Sequence, residues 1–229
     1  MCGRFAFYSP HEAIARLFGV GDAPPVEPRW NIAPTRFVAT VRAGRDAARE
    51  LAMLYWGLVP SWAKERSIGQ RMNNARGETL GEKPSFRNAF RRRRCLVLAD
   101  GWYEWQRQGA VKQPYFFRFD DREPFGMAGL WETWRDAATG EPLESCCIVT
   151  TAASAGVAHV HDRMPVIVPR GRYEEWLDPG LTDTAGFAAM IADGDRPGLV
   201  AQPVDRRVND ARNDGPGLVQ PLATPGGLA

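Results

Sequence analysis

The chain has 229 residues, 44% of them hydrophobic, a net charge of +2 and four cysteines. That size and apolar content suit one globular domain with a full core. With no run of about 18 apolar residues, no basic-then-apolar leader and no C-x-x-C pair, neither a membrane span, a secretory signal, a disulfide framework nor a zinc module is implied.

Residues 10–20 read as an amphipathic helix, with Ile14, Leu17 and Phe18 on one side and Gly19 near its end. Residues 36–43 and 51–59 read as strands around a polar turn. Residues 85–94 look helical, with Ser85 as cap and Phe86 and Phe90 one turn apart. Strands are expected at 95–99, 114–119, 125–134, 145–152 and 165–169. A helical turn is expected at 155–161, short helices at 171–177 and 184–191, and a loose tail at the end. Many short strands with scattered helices predict a single α+β domain, with mainly antiparallel, barrel-like β-sheets and peripheral helices. Neither G-x-G-x-x-G nor a P-loop occurs, so no nucleotide cofactor is expected.

The near-neutral total hides an asymmetry. Between Ser61 and Lys112 there are 12 Lys or Arg against 5 Asp or Glu, which suggests an anionic partner on one face. In this segment Trp62 stands beside Lys64, Arg66 and Arg71, as a single-stranded nucleic-acid groove needs rings to stack bases and charge to track phosphates. The run Arg91–Arg94 reads as a solvated helix face.

Four segments at the edges of apolar runs hold polar residues that a core would not need: "MCGR", "MNNARGETL" (72–80), "ADGWYEWQ" (99–106) and "HDRMPVIV" (161–168). Cys2 is small enough for Met1 to be removed, which would leave an α-amine and a thiol on neighbouring carbons; the plain alternative is a frayed end. Asn74 and Arg76 could orient a nucleophile and grip a phosphate, or be a turn asparagine and a solvated arginine. Glu104 lies among Trp102, Tyr103 and Trp105, where lost solvation would raise its pKa and suit it to acid catalysis. Strand alternation could instead point it into water. His161 is the best placed of three histidines for proton transfer, or it caps a turn. A His159/His161 metal pair lacks a third ligand, so no metal is expected.

The stretches "MCGRFA", "WNIAPT", "WGLVPSWAK", "NARGETL", "KPSFRNAFRRRRCLVLADGWYEW", "QPYFFR", "AGLWE", "HDRMPVIV" and "VNDARNDGPGLVQP" resemble the SOS-response-associated peptidase (SRAP) family of abasic-site processing proteins. The resemblance implies an SRAP domain over 1–221 and a flexible tail at 222–229. It implies Met1 removal and capture of abasic sites in single-stranded DNA by Cys2 as a thiazolidine crosslink. Cys2 would be the nucleophile, Asn74 would orient its amine, Glu104 would be the acid/base group, and His161 would assist the imine stages and reversal. Arg76 would bind phosphate, with Arg4, Trp62, Trp105 and Arg163 lining the DNA cleft. It implies a monomer without cofactor, in the cytoplasm and at the nucleoid when bound to DNA. The competing readings are an N-terminal-nucleophile peptidase or amidase, and a non-enzymatic single-strand binder. Two positions depart from the family pattern: Asn73 stands where a hydrophobic residue is commoner, and Gly77 where Ala is.

Overall fold

The computed structural model describes residues 2–21, 24–44, 48–109 and 111–222. Met1, part of the turn expected between the first two strands, and the expected loose tail beyond Leu222 lie outside the described residues.

Among these residues the strands are β1 (Phe5–Phe7), β2 (Arg29–Ile32), β3 (Phe37–Ala43), β4 (Arg49–Trp56), β5 (Asn74–Arg76), β6 (Arg94–Ala99), β7 (Gly101–Gln108), β8 (Val111–Phe119), β9 (Phe125–Arg135), β10 (Pro142–Ala152), β11 (Arg163–Pro165) and β12 (Leu199–Pro203). The strands β4, β3, β6, β9 and β10 pair in that order, and β10 pairs back onto β4 to close a five-stranded barrel. Pairing around the ring is antiparallel except at the β10–β4 seam, which is parallel.

β10 changes partner along both edges. One edge leaves β9 at Ile148 and takes β11 from Thr150; the other leaves β4 at Cys146 and takes β5 from Ile148. The strands that carry Asn74 and Arg163 are thus mounted on the barrel rim by one long strand.

A second, wholly antiparallel sheet runs β12-β8-β7-β1-β2. Its β7 is covered on both faces. Trp102 joins the main core, whereas Tyr103 joins a smaller cluster with Ala6, Phe116, Val204, Val208 and Leu218. Successive side chains alternate across a strand, so Glu104, two residues from Trp102, faces the main core. Trp102 stacks on Phe117 at 5.0 Å and meets Phe125 edge-on at 6.1 Å.

Five short helices lie outside: α1 (His11–Phe18), α2 (Arg87–Arg92), α3 (Ala155–Ala158), α4 (Tyr173–Leu177) and α5 (Ala188–Ala192). α1 ends at Gly19, whose φ of 67° is left-handed and whose N–H reaches Ala15 O. None is long and apolar enough to cross a membrane.

The barrel-like α+β expectation holds, with local corrections. The helix expected to Arg94 stops at Arg92, and Phe86 rather than Ser85 precedes it without a side-chain cap. Nor is Arg91–Arg94 one solvated face. Arg91 and Arg92 are exposed, but Arg94 is 2% exposed. It donates to the carbonyls of Phe90, Arg91, Trp176, Asp178 and Leu181, which closes the ends of α2 and α4. The strand expected at 165–169 is shorter and earlier, at Arg163–Pro165.

Candidate active site

The N-terminal segment is fixed at several points. β1 lies between β2 and β7. Buried Asp100 accepts from Tyr8 N at 2.6 Å, Ser9 N at 2.9 Å and the Ser9 hydroxyl. Arg4 Nη1 donates to Asn31 Oδ1 and Val208 O, both at 2.7 Å. The Asn31 amide in turn reaches the carbonyls of Val208, Asp210 and Asn213. The segment 208–213 is therefore strapped across the start of the chain.

Cys2 is fully buried, and its carbonyl accepts from Asn74 Nδ2 at 2.7 Å. Asn74 is brought there by the parallel pairing of β5 with β10. Its Oδ1 is buried with no hydrogen-bond partner among the described residues, a vacancy that costs about 1–3 kcal/mol in an ordinary core. Burial pushes the Cys2 thiol pKa far above its usual value.

Glu104 is 2% exposed, because alternation on β7 turns it inward. Burial raises its pKa to about 7. His161 Nε2 lies 3.8 Å from Glu104 Oε2. His161 Nδ1 is 3.0 Å from both Arg163 N and Asp162 Oδ1. The backbone N–H can only donate, and Asp162 is largely solvated, so we take Nδ1 as an acceptor, which puts the ring proton on Nε2, facing Glu104. Burial lowers the His161 pKa, favouring neutral imidazole.

The remaining sequence candidates divide. Arg76 is exposed and shares a face of β5 with Asn74, two residues away. Arg163 forks onto Glu78, with Nη2 2.9 Å from Oε2, and also reaches Thr150 O at 2.7 Å. It ties the loop after Asn74 to β10. Trp105 Nε1 donates to Asn209 Oδ1 at 2.7 Å, and the Arg4 guanidinium lies 5.9 Å from its ring. Trp62 is 60% exposed and lines a separate hollow of about 400 Å³ with Lys64 and Arg71, among others. None of the other predicted site residues reaches that hollow.

Glu104, Trp105 and His161 line a cavity of about 530 Å³ together with Arg107, Lys112 and Asn209. Sequence reasoning did not single out Asn31, Glu78, Arg107, Lys112 or Asn209. Asn31 and Asn209 sit inside quoted motifs but carry no titratable signal, and Arg107 and Lys112 acquire meaning only when the hairpin pairs them. No group of three or more His, Cys, Asp or Glu able to hold a metal occurs among the described residues. The arrangement offers a buried proton donor and acceptor near neutrality, an amide holding the Cys2 carbonyl, and an open route ending at the carboxyl.

A family model described as SOS response associated peptidase (SRAP) matches residues 1–211. The chain is 37% identical over 224 residues to the abasic site processing protein YoqW of Bacillus subtilis strain 168, covering 96% of this chain and 99% of that one. It is 31% identical over 230 residues to the abasic site processing protein YedK of Escherichia coli K12, covering 97% and 100%. Among solved structures, a Bacteroides thetaiotaomicron protein aligns with a TM-score of 0.86 at 26% identity over 97% of this chain and 100% of its own. A phage-related protein of Bordetella bronchiseptica aligns with a TM-score of 0.70 at 33% identity over 90% and 95%.

Proposed function

The chain belongs to the SOS response associated peptidase (SRAP) family, and from that membership we propose that it processes abasic sites in DNA, trapping the lesion in single-stranded DNA as a covalent adduct at Cys2 after Met1 is removed. The observation that carries the reading is the convergence on one residue: Asn74 bonds the Cys2 carbonyl, and Glu104, with its pKa raised to about 7, lies close enough to influence the Cys2 thiol.

An abasic deoxyribose is mostly a closed hemiacetal. A carboxyl that titrates near 7 can take and return the protons that open it to the aldehyde. The freed α-amine, with an ordinary pKa near 8, is about a tenth neutral at pH 7, where a lysine is neutral in under a thousandth. Its lone pair attacks the aldehyde carbon, giving a carbinolamine, and loss of the hydroxyl as water gives the imine. The Cys2 sulfur then adds to the same carbon and closes a five-membered ring, at the high effective concentration of an intramolecular step. One hydrogen from the amine and one from the thiol leave with the aldehyde oxygen, so the adduct weighs one water less than its parts.

Asn74 holds the carbonyl, and its open Oδ1 is a buried acceptor for the amine. Neutral His161 hands protons to and from Glu104 through the imine stages. Arg76 supplies a phosphate contact beside Asn74, and Trp62 and Trp105 offer flat faces for bases. Arg4 and Arg163 line the cleft while their guanidiniums hold Asn31 and Glu78. Cys2 has no exposed surface, so the reading requires that loss of residue 1 opens its amine to the Glu104 cavity.

The test mixes Met1-processed protein with an abasic single-stranded oligonucleotide, then boils and separates under denaturing conditions. The wild type gives a slow band of summed mass less one water. Cys2→Ala and Cys2→Ser give imine trappable by borohydride but no heat-stable band. A heat-stable band from Cys2→Ala would falsify ring closure, and turnover of peptide substrates without any adduct would replace the reading by an N-terminal-nucleophile hydrolase.

A further inference from the structure

In the hairpin formed by β7 and β8, Arg107 stands directly opposite Lys112. Like charges facing across two strands repel and weaken the pair. Several arginines of this protein close on a carboxylate, among them Arg16, Arg42, Arg93, Arg163 and Arg172. Arg107 and Lys112 are exposed and have no such partner among the described residues.

Both line the cavity that ends at Glu104 and His161. Trp105 shares a face of β7 with Arg107, about 6.6 Å further in, and its ring is pinned by Asn209. The hairpin is also anchored to the loop that carries His161, because Gln106 Nε2 donates to His159 O at 2.8 Å and Tyr115 meets the His159 ring edge-on at 6.0 Å. Two unneutralised cations therefore stand at a fixed offset from the proposed chemistry, at the open end of its cavity.

We propose that Arg107 and Lys112 grip one phosphodiester of the strand flanking the lesion, with Trp105 against the intervening nucleotide, so that the β7–β8 hairpin sets the course of one DNA arm out of the site. The identity of the strand rests on the abasic-site reading; the anion site itself does not.

The test compares wild type with the double variant Arg107→Gln, Lys112→Gln. Binding of an intact single-stranded oligonucleotide is measured by fluorescence anisotropy across a salt series, and adduct formation with an abasic one is measured in parallel. The variant binds on the order of tenfold more weakly at low salt, and the slope of log affinity against log salt falls by about 0.7–1. Heat-stable adduct still accumulates at saturating protein, because Cys2, Asn74 and Glu104 are untouched. With abasic sites placed at either end of the oligonucleotide, the difference between the proteins disappears for one polarity and persists for the other.

Unchanged affinity and slope overturn the site. So does an equal loss in a charge-matched control, Arg91→Gln with Arg92→Gln. Inorganic phosphate, titrated at constant ionic strength, does not compete at millimolar concentration; competition that vanishes in the double variant would make this a free-phosphate site instead. If the wild type forms no adduct while the variant still lowers the slope, the covalent reading fails and the phosphate grip stands.

Discussion

Glu104 is a carboxyl enclosed by its own strand. A carboxylate whose folded pKa is near 7, against about 4.5 in the unfolded chain, binds its proton more tightly when folded. Stability therefore falls as pH rises from about 4.5 to 7 and is level above that, by about 3 kcal/mol in all. Glu104→Gln keeps the shape and abolishes the slope, so urea denaturation at pH 5 and pH 8 should show the variant gaining on the wild type by about that amount at the higher pH. The same substitution should slow adduct formation by roughly 10²–10⁴-fold. It should also remove the decline in wild-type rate as the acid ionises above pH 7, measured by single-turnover gel assay.

At the level of elements, the loop after β5 shows how one departure from the family pattern is absorbed. A Cβ on Gly77 would lie 2.2 Å from Ile191 Cγ2 and 3.3 Å from Thr150 O. The space that alanine would fill is thus taken by α5. Gly77→Ala alone should destabilise by about 1–3 kcal/mol, and Ile191→Ala in the same chain should recover part of that loss, a non-additivity read from a thermal double-mutant cycle. At Asn73 the backbone carries the local contacts, its carbonyl accepting from Trp56 Nε1 and Ile148 N. What was legible in the sequence follows from length and exposure. Strands such as β3, β9 and β10 announced themselves by long apolar runs. β1, β2 and β5 span three or four residues, too few to display a period. β7 hid because it is buried on both faces, and that double burial is also why Glu104 was ambiguous until its strand was placed. The convergence of Cys2 and Asn74 was named from motif resemblance; no local pattern could reveal that β10 would switch from β4 to β5 and bring them together.

Over the whole molecule, the two sheets share the Trp102 layer, and the ends of the described chain close on each other. Val204, Val208 and Leu218 complete the small cluster around Tyr103, while Asn31 joins Arg4 to 208–213. Asn31→Ala would take one acceptor from Arg4 and one donor from each of three carbonyls, of which Val208 O keeps Arg4 and Asp210 O keeps Asn213 N. A loss of about 2–4 kcal/mol is expected. Native-state hydrogen exchange should show 204–219 losing protection ahead of the barrel strands. Equal loss everywhere would mean that the strap is not a separate unit.

Burial of the Cys2 sulfur has a chemical corollary. Oxidants and electrophiles attack the thiolate, and this sulfur is held as the neutral thiol, as are Cys95, Cys146 and Cys147. In this fold all four sulfurs are therefore poor targets for peroxide, and treating the folded, unprocessed protein with it should leave them as free thiols.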